Sequence, residues 1–321
     1  MNKKSLWKNW DKISSLDFPT PPILQSVLRW GQALLKSSGS FSASEARREA
    51  EIIVQHLVGL TEVQLFTQAE KLLPDVIAEQ VQDGLMRRFR GEPTAYILQE
   101  RGFYGFTFKV GPGVLIPRPE TELLVDTVLN WIDEFEAEGY QGAVCEGKAE
   151  VAGPRVLDLC TGSGCVILSI KALRPEIEAE AQDLSAETFR YFSANRSRLV
   201  PKYDLKWHGG DLFAEIEGRF QFISANPPYI GISEGPAADQ DVAAYEPSLA
   251  LFSGRDGLDL IKKLISQAPQ YLQPGGGLAL EIGCTQGEAV RSLMQAAGFE
   301  NIKVLQDFND LDRVACGRWQ L

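Results

Sequence analysis

From Ser42 onward apolar positions recur at helical spacing. Ala46, Ala50, Ile53 and Leu57 fall on one face, Ser42 and Glu45 form a capping-box pair ahead of them, and Gly59 supplies the stop. Ile77, Val81, Leu85 and Phe89 repeat the spacing between Pro74 and Gly91, and Val27, Trp30 and Leu34 follow Pro21-Pro22. The pattern predicts a small helical bundle over residues 1–90, with 1–22 as an extension ahead of it. Such a bundle serves either as a stability cap or as a domain that recognises a macromolecular substrate.

The period then changes. Between Ile97 and Val114, Phe103, Tyr104, Phe106 and Phe108 alternate with glycines, which predicts a β-hairpin linker over 91–116. A helix opens at Arg118-Pro119-Glu120-Thr121-Glu122 and runs through Leu123, Leu124, Thr127, Val128 and Trp131, its acidic first turn matching the helix dipole. Residues 134–154 are rich in Gly, Glu and Ala without periodicity and are expected to form a surface insertion. Beyond them, strand signals at Val156–Leu159, Ile177–Gln182, Leu205–Trp207, Phe220–Ala225 and Leu278–Ile282 mostly alternate with helical stretches, the rhythm of a doubly wound α/β sheet over 117–321. Ile302–Leu305 and Val314–Gly317, with no crossover helix between them, add an antiparallel pair at its edge.

Charge and composition narrow the chemistry. With 32 Lys and Arg against 43 Asp and Glu, the formal net charge of −11 argues against sequence-independent grip on phosphates, so no direct nucleic-acid binding is expected. The five cysteines are odd in number and form no C-x-x-C pair, which supports neither a disulfide framework nor a zinc site and fits a reducing cytoplasm. No apolar run approaches the roughly 20 residues of a membrane span, so no membrane association is expected. His56 and His208 are the only histidines, too few for a multi-histidine metal centre, and no metal is expected.

Four features carry chemistry. The strand Val156–Leu159, with Asp158 in it, runs into Cys160-Thr161-Gly162-Ser163-Gly164, a loop that lets a ligand approach backbone. Three residues after Gly164 stands Ile167, so the dinucleotide fingerprint is incomplete and a nicotinamide cofactor is disfavoured. Asp183 ends the second strand, where a carboxylate can accept both ribose hydroxyls. Asp211 ends the third, placed to meet an adenine amino group while Leu212 and Phe213 cover the ring. Finally, Asn226-Pro227-Pro228-Tyr229 follows an apolar strand as a rigid turn whose Asn226 side chain and Pro227 carbonyl can accept hydrogen bonds from an NH2 group. One strand-end Asp alone reads equally as a cap or turn residue. Three in register beside this turn describe an S-adenosyl-L-methionine pocket with a place to act beside the methyl group. Asn226 also touches that pocket, and Tyr229 can wall it with its ring.

At these residues the chain resembles the release factor glutamine methyltransferases, from about Ser42 to Trp319. Gly91-Glu92-Pro93 with Tyr96-Ile97 is similar to that family's domain-junction motif, and Leu115 to Glu122 to the segment leading into its catalytic domain. The glycine loop, Asp183 and Asn226-Pro227-Pro228-Tyr229 match its cofactor and substrate motifs. Tyr245-Glu246-Pro247, Gly254 to Leu258, Gln286-Gly287-Glu288 and Asp312-Arg313-Val314 continue the likeness. The resemblance implies a helical domain, a β-hairpin and a seven-stranded, Rossmann-like class I methyltransferase domain. It also implies methylation of the glutamine in the Gly-Gly-Gln loop of class I peptide chain release factors. Three rivals share parts of the pattern: a glutamine methyltransferase of a large-subunit ribosomal protein, an adenine-N6 nucleic-acid methyltransferase, which presents the same flat NH2, and a non-catalytic protein that retains the sheet. The intact loop and turn speak against the last.

Overall fold

A computed structural model describes residues 16–137, 153–232 and 244–320. The chain divides between Gln99 and Glu100 into two compact units.

The first unit is helical. Helices α1 (Leu24–Ser37), α2 (Ala43–Val58), α3 (Glu62–Thr67), α4 (Asp75–Phe89) and α5 (Thr94–Leu98) enclose a core that includes Val27, Trp30, Ile53, Val81 and Leu85. The capping box forms as the sequence predicts: Glu45 N–H donates to Ser42 Oγ (3.3 Å) and Ser42 N–H to Glu45 Oε2 (2.8 Å), while Gly59 ends α2 in the left-handed conformation. Two short helices went unforeseen because they hold too few turns to show periodicity. One of them, α5, occupies 94–98, so strand begins only at Glu100 and not at Ile97. Residues 1–15 of the expected extension lie outside the described residues. Its remainder is built into this core: Phe18 meets Trp30 edge-on at 5.0 Å and Leu16 accepts the Trp30 indole N–H at 3.0 Å. The Gly91-Glu92-Pro93 segment is held from the same unit, since Arg87 donates to both Glu92 carboxylate oxygens and Arg88 to the Glu92 carbonyl.

The second unit holds the hairpin, β1 (Glu100–Phe103) and β2 (Phe106–Lys109), turning through left-handed Tyr104 and Gly105. The hairpin groups with this unit, because Phe103 and Phe108 pack into its core, Tyr104 N–H donates to Glu122, and Asn195 bonds both backbone groups of Lys109. Helix α6 (Glu122–Ala137) follows a single 3-10 turn, Pro119–Thr121. It runs through the first residues of the expected insertion because Trp131, Ile132 and Phe135 keep its apolar face going, Phe135 meeting Phe222 at 6.1 Å. Residues 138–152 lie outside the described residues.

The rest is a seven-stranded α/β sheet. In chain order come β3 (Arg155–Leu159), α7 (Cys165–Leu173), β4 (Glu178–Asp183), α8 (Ala186–Leu199), β5 (Leu205–Gly209), β6 (Phe220–Ala225), α9 (Asp259–Gln267), β7 (Leu272–Glu281), α10 (Gly287–Ala296), β8 (Phe299–Gln306) and β9 (Asp312–Trp319). Strand order is β5-β4-β3-β6-β7-β9-β8, with β9 antiparallel to both of its neighbours. The final pair is antiparallel and lies at the edge as expected, although β9 inserts between β7 and β8. Successive strand residues serve opposite faces: Val156 and Phe222 pack with α6 and α7, whereas Leu157 and Ile223 pack with α9 and α10. Burial on both faces is why β3 and β6 read as mostly apolar runs without a strict alternation.

The order reverses at β3, which lies between β4 and β6. Leu159 pairs with Gln182 on one side and Ala225 on the other. Cys160, Asp183 and Asn226, each one residue further on, therefore emerge side by side at the carboxyl ends of three adjacent strands, the place where open α/β sheets bind ligands.

Candidate active site

A cavity of about 270 Å³ opens there, lined by Cys160, Gly162, Asp183, Asn226 and Pro228 among others. Its glycine loop needs two unusual backbones. Gly162 has φ 56° and a Cβ there would meet nothing nearer than Val114 at 3.7 Å, so the loop opens onto free space. Gly164 has φ 81° and a Cβ would strike Phe192 and Leu168 at 2.7 and 2.8 Å, so glycine is required by both conformation and packing.

Asp183 is held before any ligand arrives. Its Oδ2 accepts Gly162 N–H at 2.8 Å and its Oδ1 accepts Ser185 N–H at 2.9 Å. Burial pushes its pKa up, opposed by these N–H groups. The Thr188 hydroxyl acts on the carboxylate as well, which with about four acceptor positions still has room for a ligand hydroxyl.

Asp158 has a different place. It is 1% exposed, accepts Thr161 Oγ1–H at 2.6 Å and Ser224 Oγ–H at 2.7 Å, and does not line the cavity. It ties the loop to β6 from beneath. Burial pushes its pKa up to about 7, the hydroxyls opposing and the Asp183 charge adding to the rise. Thr161 and Ser163 are likewise turned inward and buried.

The third strand-end acid is not brought to the cavity. Asp211 is exposed and ion-paired with Lys263 of α9, and Leu212, left-handed at φ 53°, turns into the core beneath. Phe213 stacks on Tyr271 at 4.4 Å. Asp211, expected to meet an adenine amino group, and Leu212 and Phe213, expected to cover its ring, are thus not among the residues that line this cavity. In their place Leu184, Ser185, Phe252 and Leu260 line the cavity, residues whose role has no local sequence signal.

The proline turn is clamped from several sides. Asn226 Nδ2 donates to Thr121 Oγ1 at 3.3 Å, leaving Oδ1 without a commitment to Thr121, and Pro227 is buried while Pro228 is half-buried. Tyr229 donates its hydroxyl to Glu281 Oε1 at 3.0 Å, and its carbonyl accepts Gln286 Nε2–H at 2.9 Å. Ile230 N–H donates to Leu251 and Ser253 N–H to Ile230. Arg118 donates to Glu246 Oε1 at 2.6 Å while Ile116 N–H reaches Glu246 Oε2 at 3.0 Å. Segments far apart in sequence thus meet around four residues: 116–121, 246–253, 281 and 286. Burial raises the pKa of both Tyr229 and Glu281, so the pair stays a neutral phenol donating to a carboxyl.

Neither histidine enters the cavity lining. His208 sits 2.7 Å from Glu180 on β4, and His56 lies in the helical unit. No cluster of three or more candidate metal ligands occurs among the described residues, and no helix among them is long and apolar enough to cross a membrane.

Comparison with known proteins agrees with this geometry. Residues 26–98 match the family model described as PrmC N-terminal domain, and residues 148–244 that described as Methyltransferase small domain. A release factor glutamine methyltransferase of Thermodesulfovibrio yellowstonii is 36% identical over 271 residues, covering 83% of this chain and 90% of that protein. One of Neisseria gonorrhoeae is 37% identical over 274 residues, covering 84% and 93%. One of Pseudomonas aeruginosa is 36% identical over 287 residues, covering 89% and 97%.

Proposed function

Because the chain belongs to the release factor glutamine methyltransferases, we propose that it transfers a methyl group from S-adenosyl-L-methionine to the side-chain amide nitrogen of the glutamine in the Gly-Gly-Gln motif of class I peptide chain release factors, in the cytoplasm. The observation that carries this reading is one cavity lined by both the Asp183 carboxylate and the Asn226 amide.

The residues fit the cofactor. Free space above Gly162 admits a ligand against backbone, Asp183 has room for a ligand hydroxyl, and Leu184 and Phe252 supply apolar walls for a base. S-adenosyl-L-methionine supplies, when bound, an electrophilic methyl group on a sulfonium sulfur.

The protein's part is alignment. An amide nitrogen is a weak nucleophile because its lone pair is delocalised into the carbonyl. With Asn226 Nδ2 turned to Thr121, Oδ1 and the Pro227 carbonyl are left to accept the two N–H bonds of the substrate amide. Two acceptors orient the nitrogen and offset positive charge growing on it as the new bond forms. The Tyr229 ring, fixed through its hydroxyl by Glu281, excludes water from that site.

The test is methyl transfer from labelled cofactor by purified protein, offered a class I release factor, the same factor with its Gly-Gly-Gln glutamine changed to Ala, the ribosomal-protein substrate, and duplex DNA. Mass mapping locates any product. Methylation of the intact factor alone is expected; transfer to the ribosomal protein or DNA instead would move the enzyme to a rival class.

A further inference from the structure

Glutamine methylation, the reading on which this inference rests, leaves a proton to be placed. The methyl carbon's bond to sulfur breaks and its electron pair stays on sulfur, while the nitrogen lone pair forms the new carbon–nitrogen bond. The nitrogen then carries positive charge until one N–H bond gives its electrons back and its proton to an acceptor. Asn226 Oδ1 and the Pro227 carbonyl can hold that hydrogen but, being amide oxygens, are too weakly basic to keep it at neutral pH.

Behind the turn lies a second, smaller cavity of about 90 Å³, lined by Asn226, Tyr229, Leu115, Arg118 and Glu281 among others. Arg118 cannot accept a proton and is engaged by Glu246. Tyr229 already donates to Glu281. Glu281 is 1% exposed, with Oε1 taken by the Tyr229 hydroxyl; Oε2 makes no hydrogen bond of ordinary geometry among the described residues, although the Thr121 hydroxyl acts on the carboxyl. A buried carboxylate oxygen left unpaired is costly, and such groups concentrate where a ligand or a proton completes them.

We propose that Glu281 is the acceptor of the proton released from the methylated amide nitrogen, taking it on Oε2 from the small cavity behind the proline turn. Glu281 belongs to β7, whose pairing with β6 brings it beside the turn although 52 residues separate it from Tyr229. The groups facing it are Tyr229, Thr121, Arg313, Glu120 and, through charge, Cys165. Burial dominates over the Thr121 and Tyr229 hydroxyls and the Arg313 guanidinium, so its pKa is raised. An acceptor must be ionised, so turnover falls as pH drops through that raised value.

The test is Glu281→Gln, which keeps an oxygen for the Tyr229 hydroxyl and removes the basic site. Single-turnover methyl transfer to a release factor is expected to drop about 10²-fold, the usual scale of lost general-base action. Cofactor affinity by calorimetry should hold within a few-fold, and the acidic limb of the wild-type rate profile should disappear. Independently of turnover, 13C-glutamate NMR of the ligand-free protein should show one carboxyl resonance titrating above the ordinary range of about 4.3, absent in Glu281→Gln. A variant within two-fold of wild type, a persisting acidic limb, or a Glu281 resonance titrating normally would overturn the assignment. A wild-type protein inert toward release factors would instead overturn the function reading.

Discussion

Asn226 lines the cavity while its amide nitrogen is committed to Thr121, and its oxygen has no part in that bond. Asn226→Ala is expected to lower turnover by about 10²-fold while cofactor affinity changes no more than a few-fold; undiminished turnover would remove it from the reaction. Asp183→Ala should weaken cofactor binding by roughly 10- to 100-fold in calorimetry, the worth of charge-assisted hydrogen bonds, without loss of fold. Asp158 makes a prediction in pH. Unfolded, its carboxyl ionises near 3.9; folded, it holds its proton to about 7. The folded state thus binds more protons between these values, and stability from this group falls by roughly 1.4 kcal/mol per pH unit as pH rises through the window, levelling above it. In Asp158→Asn that loss is absent, so its melting temperature relative to wild type should climb from pH 5 to 7 and then hold; a constant difference would contradict a raised pKa. Asn226 directly follows the mostly apolar run of β6 and Asp183 ends the alternating run of β4, so the chain itself puts a polar group at each of these strand ends. Asp158, one residue inside the end of its strand, is buried and does not line the cavity, a placement the sequence could not show because only the pleat decides which way a strand residue faces.

At the level of elements, the turn depends on a neighbour distant in sequence. Gly257 has φ 76°, and a Cβ there would collide with the Tyr229 carbonyl oxygen, which Gln286 also holds. Gly257→Ala should therefore shift the turn and reduce turnover by about 10-fold or more, since small misplacement is costly in positioning catalysis, while cofactor affinity is largely kept. Equal losses in both would mean general damage to the unit. Long strands and helices were legible from periodicity; the strand order that puts the reversal at β3 was not. Register was not: that Glu281 and Thr121 flank Asn226 follows from β6 pairing with β7 and from one 3-10 turn ahead of α6, neither of which has a local signature. Nor was the ion pair of Asp211 with Lys263, which stands on another element.

For the whole molecule, two compact units with separate cores predict separable unfolding. With cofactor at about 100 times its Kd, only the unit that binds it gains roughly 2.7 kcal/mol. Urea titration followed by probes in each unit should show the Glu100–Leu321 transition moving and the helical transition staying; a joint shift would mean the units unfold as one. Acidity, length and cysteine count excluded several classes of function but could not by themselves name a substrate.

The exposed end of α6 has a practical side. Ala137 is exposed, and Pro154 leads into β3 at the end of the sheet opposite to Cys160, Asp183 and Asn226. Glu134, one turn before Ala137, accepts from Arg318, which pairs with Gly277 at that same end of the sheet, so a fluorophore or affinity tether attached at Ala137 stands away from the chemistry. The molecule comes with its own mounting point, at which it can be immobilised or tracked while the opposite end works.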